Sequence, residues 1–123
     1  MAMNDITSHR HVISAPIEEV VAQLVDFLGL TEVAVIGRVG ETRAVSQWLN
    51  GNARKPQRPA TLRFALQLAL MIGTSHEKSM VRAWFSGSNP ELGDSSPTAL
   101  LRDRPLEETQ GPLMDAARSF ANR

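Results

Sequence analysis

Residues 60–72, ATLRFALQLALMI, constrain this chain more than any other stretch. From Leu62 to Met71 only Arg63 and Gln67 are polar, against Leu62, Phe64, Ala65, Leu66, Leu68, Ala69, Leu70 and Met71. A helix that is apolar on nearly every side is stable only when other elements enclose it. The spacing predicts a buried central helix over Ala60–Ile72, stopped by Gly73, with the rest of the chain wrapped around it. A chain of 123 residues then forms one compact domain, or two very small ones sharing that core.

The flanking segments read as helices too, so the expected fold class is all-α. Ile17, Val20, Val21, Leu24 and Val25 repeat at helical spacing over about Pro16–Leu28, and Gly29 closes that run. Pro16 suits a first turn, and Glu18 and Glu19 favour its positive end. A short helix from Thr31 as N-cap to about Arg38 is expected next. Val33, Val35, Ile36 and Val39 read equally well as a strand; the helix is chosen because a turn and a third helix succeed it. Gly40 supplies that turn, and Glu41–Asn50 reads as the third helix with Val45, Trp48 and Leu49 inward. Gly51-Asn52 ends it, and a basic, proline-punctuated loop runs to Pro59.

Beyond the central helix, Thr74 or Ser75 is expected to cap a helix over about His76–Phe85, with Met80, Val81, Trp84 and Phe85 inward. A long turn covers Ser86–Ser96. Pro97 opens a short helix to about Arg102. A last helix runs from Leu106 or Glu107 to Asn122, starting later if Gly111-Pro112 breaks its first turns. Leu113, Ala116, Ala117 and Phe120 form its apolar stripe. The organisation expected is a flexible arm over 1–13, a helix-turn-helix region over 14–59, and a central helix with a small C-terminal domain over 60–123.

Charge adds a functional hint. Thirteen bases balance thirteen acids, but the bases concentrate in the middle: Arg38, Arg43, Arg54, Lys55, Arg58 and Arg63 against Glu41. Acidic ends around a basic centre suggest an anionic partner for the centre and another partner for the tail. In a helix-turn-helix the second helix presents short polar and basic side chains to base edges. Thr42, Arg43, Ser46, Gln47 and Asn50 share the face opposite Val45, Trp48 and Leu49. Arg can bond guanine bidentately, and Gln or Asn adenine. Arg54, Lys55 and Arg58 would add phosphate contacts, which strengthen binding without specifying sequence. Trp48 is read as packing inward rather than stacking on DNA.

Several function classes are excluded. No apolar run approaches the ~20 residues that span a bilayer, no signal-peptide stretch is present, and cysteine is absent, so a cytoplasmic protein is expected. His9 and His11 cannot share one helical face and lack a third ligand. Glu107 and Glu108 diverge on a helix, and no glycine-rich phosphate loop follows a strand. No enzyme, metal or cofactor is expected.

The stretch from Trp84 to Asp103, WFSGSNPELGDSSPTALLRD, resembles the C-terminal toxin-binding domain of the Xre/MbcA/ParS antitoxins. Trp84, Asn89, Pro90, Leu92, Gly93, Pro97, Leu100 and Leu101 match that pattern without a gap. Asp94 stands for its second Gly, Ser96 for its Thr, and Arg104 where Gly often comes next. Residues 43–51, RAVSQWLNG, are similar to the family's helix-turn-helix. The resemblance implies a bacterial type II antitoxin that neutralises an NAD-consuming RES-domain toxin by direct binding and represses its own operon at operator DNA. It implies a homodimer and a larger hetero-oligomer with the toxin. Most of the motif reads as turn and core, so toxin contact is assigned to Arg102, Asp103, Arg104, Arg118, Phe120 and Arg123. The alternatives are a stand-alone helix-turn-helix regulator and an adaptor that binds protein but not DNA.

Overall fold

The computed structural model describes Val12, residues 14–51 and residues 54–123. Among these the fold is all-α: α1 (Ile17–Leu28), α2 (Leu30–Ile36), α3 (Thr42–Leu49), α4 (Pro59–Gly73), α5 (Lys78–Ser86), a 3-10 turn (Pro90–Leu92), α6 (Pro97–Asp103) and α7 (Leu106–Ala121). The expected flexible arm lies outside the described residues apart from Val12, as do His9, His11 and Asn52. Val12 itself is buried, and its carbonyl accepts a hydrogen bond from Arg63, so the core begins ahead of Ser14.

α4 is the axis of the molecule, with α1 and α7 packed against it. Leu62, Ala65, Leu66, Leu68, Ala69 and Ile72 are fully buried, and Pro59 starts the helix where a missing N–H costs nothing. Val20, Val21, Leu24 and Leu28 of α1, and Leu113, Ala116 and Ala117 of α7, close over it. A single hydrophobic cluster runs through all the helices, from Val12 to Ala117.

The corner between α2 and α3 is built differently from the sequence expectation. α2 is capped two residues early, at Gly29, whose positive φ of 86° opens the turn, so Thr31 lies inside the helix and does not cap it. The helix ends at Ile36 in a Schellman arrangement: Val39 N–H bonds Ala34 O at 3.0 Å and Arg38 N–H bonds Val35 O at 3.1 Å. Arg38 therefore leaves the helix and takes the left-handed position at φ 59°. Gly40 has open space around it and is not the strained residue of the turn. The close approach is at Gly37, where a Cβ would sit 2.6 Å from Trp48 Cη2. Trp48, Val45 and Ala44 anchor α3; Leu49, expected inward, is exposed, because Ala44 occupies the inner edge of the stripe in its place.

The α4–α5 corner also departs from expectation. Neither Thr74 nor Ser75 caps α5, which begins after Glu77. Thr74 Oγ1 donates to Met71 O at 2.8 Å, and Ser75 Oγ donates to Ala121 O at 2.6 Å, tying the corner to the end of α7. Met80 falls on the flank of the α5 stripe and is 44% exposed, whereas Val81, Trp84 and Phe85 are buried. α7 runs unbroken through Gly111 and Pro112, both exposed. The only bond the proline ring forfeits, to the Glu108 carbonyl, is near the helix start, where water can replace it.

Candidate functional site

The face of α3 turned away from the core carries the five residues nominated as base readers. Arg43, Ser46 and Asn50 are exposed, and Thr42 and Gln47 are half-buried, opposite Ala44, Val45 and Trp48. Among the described residues Arg43 makes no hydrogen bond or ion pair, so its guanidinium is free to engage a ligand.

The basic middle of the chain is less available than its composition suggests. Arg63 Nη1 donates to the carbonyls of Val12 and Ala15, the latter at 2.8 Å. Arg58, nominated for phosphate, instead bridges two helix ends: Nη1 donates to Ile36 O at 2.9 Å and Nη2 to Leu101 O at 3.0 Å, with Arg102 O at 3.5 Å from Nη1. Burial, and secondarily the charge of Arg38, pulls the Arg58 guanidinium below its ordinary pKa. Arg58 thus satisfies orphan carbonyls at the negative ends of α2 and α6, and Arg63 those of the segment ahead of α1. Arg38 Nε likewise donates to Arg102 O. Lys55 faces Glu18 at 3.5 Å in an exposed pair. Arg54 makes no hydrogen bond or ion pair among the described residues, and with Arg38, Gly40, Glu41, Ala44 and Gln57 it lines a hollow of about 500 Å³ beside the start of α3.

The segment from Trp84 to Leu101 folds as one unit. Trp84 and Phe85 meet edge to face at 5.1 Å. Asn89 is the hub of the turn. Its Oδ1 accepts from Glu91 N–H at 2.9 Å, its carbonyl accepts from Leu92 and Asp94 N–H at 2.9 Å each, and its own N–H donates to Ser95 O at 3.2 Å. Gly93 and Asp94 are both left-handed, at φ 64° and 67°; asparagine and aspartate tolerate that conformation best among residues with a Cβ. Ser96 Oγ accepts from Ala99 N–H at 3.1 Å and caps α6. Replacing Asn89 by Ala should cost about 1–2 kcal/mol, the usual loss when a capping acceptor is removed. A urea titration would show this as a lower midpoint with unchanged slope, and Asn89→Asp, which keeps the acceptor, should lose less.

The residues assigned to a protein partner fall around this turn. Arg102 grips Asp103 bidentately, at 2.6 and 2.8 Å, and that hydrogen bonding holds the Asp103 carboxyl below its ordinary pKa. Arg104 lines a hollow of about 280 Å³ with Glu91, Leu92, Leu100 and Glu108. On the other side of Glu91 a groove of about 360 Å³ is lined by Met80, Trp84, Pro90, Phe120 and Arg123. Phe120 stacks on His76 at 4.6 Å, and Arg123 reaches Glu91 at 3.9 Å while lying 5.9 Å over the Phe120 ring. Glu91 thus stands between Arg104 and Arg123, whereas Arg118 pairs with Asp115 along α7 at 3.9 Å. Sequence reasoning missed Arg38, Met80 and Glu91. Only Glu91, in the polar turn, carried a local signal of exposure.

Among the described residues no group of three or more His, Asp or Glu could hold a metal ion, and no helix is long and apolar enough to cross a membrane. No family model, curated protein or solved structure matches the chain.

Proposed function

We propose that the chain is a bacterial antitoxin with two binding surfaces, one for operator DNA and one for a RES-domain toxin. The observation that carries the reading is the exposed polar face of α3, with an unpartnered Arg43, held on a corner that Trp48 locks against Gly37. Thr42, Arg43, Ser46, Gln47 and Asn50 read bases, and exposed Arg54 and Lys55 meet phosphates. The toxin docks on the surface around Pro90–Leu92, through Arg102–Arg104 and the end of α7. A chain of zero net charge binds DNA weakly as a monomer, so the reading includes a homodimer on a two-fold operator, in the cytoplasm. The toxin half of the proposal rests on the resemblance of residues 84–103.

A protein-only adaptor is the second reading, favoured by the commitment of Arg58 and Arg63 to backbone carbonyls. A mobility-shift titration with the promoter upstream of the chain's own reading frame separates the two. The wild type should prefer that promoter over random DNA. Arg43→Ala should lose about 1–3 kcal/mol on the promoter and relax specificity at one position. Equal binding to promoter and random DNA gives the adaptor reading the lead.

A further inference from the structure

We propose that the phosphodiester backbone of bound DNA is gripped by Arg38 together with Arg54, at the hollow beside the start of α3. The proposal rests on the DNA-binding reading above and adds to it a residue, Arg38, to which the sequence assigned no contact. Three observations converge on it. Arg38 fills the left-handed position of a Schellman motif, at φ 59°, where glycine is the ordinary occupant. A long cationic side chain at a position that disfavours any Cβ points to a use for that side chain. Its Nε is spent on Arg102 O, but among the described residues its two terminal NH₂ groups make no hydrogen bond, and they belong to a side chain that lines the hollow.

Arg54 lines the same hollow without a partner, and Arg38 sits close enough for its charge to be felt at Arg58. Arg38 and Arg54 thus line the hollow against Glu41 as its one acid, with Arg58 behind Arg38 and the nearby Asp103 already neutralised by Arg102. Such an excess of positive charge suits a polyanion. The hollow adjoins Glu41 and Ala44, at the N-terminal end of the helix whose outer face carries Thr42 and Arg43. A helix that enters the major groove is flanked there by a phosphate strand. The occupant that fits both the charge and the position is that strand, rather than a free anion or an acidic peptide.

Arg38→Gly and Arg54→Gln test this in the full-length chain. Glycine at the left-handed position keeps the motif while deleting the guanidinium, and Arg54 is exposed and unpartnered, so its replacement leaves the fold intact even if Arg38→Gly does not fold. Binding to the promoter duplex and to an unrelated duplex of equal length is measured by fluorescence anisotropy at several salt concentrations. Each substitution should weaken both duplexes by the same factor and reduce the slope of log K against log salt by about 0.9. Lys78→Gln, which removes one charge from the α1–α5 edge, should leave the slope unchanged. Wild-type slopes in Arg38→Gly and Arg54→Gln, with promoter preference retained, overturn the assignment of the backbone contact alone. Failure of the wild type to bind either duplex overturns it together with the DNA-binding reading.

Discussion

Trp48→Ala is expected to destabilise the fold by about 3–5 kcal/mol, the range for emptying a fully packed aromatic site. The ring is 2% exposed and abuts the Gly37 backbone, which has no side chain to collapse into the space. It also packs α3 against the end of α2, so the exposed polar face of α3 loses its support with it. Against a total stability of about 5–15 kcal/mol, one residue would remove a large share. Leu49→Ala is the contrast: its neighbour in sequence is 37% exposed, and the change should stay within about 0.5 kcal/mol. Urea unfolding followed by far-ultraviolet circular dichroism measures both. A Trp48→Ala chain that unfolds at the wild-type midpoint would remove Trp48 from the centre of the corner.

The second large effect is at Arg58. Judged by charge alone, its removal should be harmless or helpful, because Arg38 repels it. The geometry predicts the reverse. Arg58→Met keeps the apolar stem but leaves Ile36 O and Leu101 O without their donor. Orphaned buried carbonyls cost about 1–3 kcal/mol, whereas repulsion between partly solvated guanidinium groups is weak and screened by salt. The loss should therefore persist at high salt. Arg58→Lys should not rescue it, since one ammonium cannot present the planar fork that spans two helix ends. Thermal melts at low and high salt decide the matter, and an unchanged midpoint for Arg58→Met in both would refute the staple.

The features legible in the sequence and those hidden in it fall on two sides of a physical divide. α4 was legible to within a residue of each end because an all-round apolar pattern is a local signal, although Pro59, read as the end of the loop, opens the helix. The start of α6 at Pro97 was legible for the same reason. Thr31, Thr74 and Ser75 misled because their hydroxyls have acceptors or positions that local pattern does not reveal; Ser75 answers to a carbonyl of Ala121 on another helix. The search for a left-handed residue between α2 and α3 favours glycine, so Gly40 drew attention while Arg38 took the position. The basic middle was visible as a count, but where each guanidinium goes depends on helix ends brought in from tens of residues away, as Arg58 and Leu101 illustrate. The polar stripe of α3 was readable because it needs only helical spacing and an anchored back.

The placement of α4 between α1 and α7 has a consequence for how the protein comes into being. A ribosome releases α3 long before it releases Leu113, Ala116 and Ala117, which cover the far side of α4. Until they emerge, the most apolar helix of the chain has one flank bare, and domains fold as units once their parts are present. Nascent chains thus reach their final shape only once α7 has emerged. A message cut short before residue 113 would yield a product with a greasy, unshielded helix, a natural target for chaperones and proteases rather than a half-working protein.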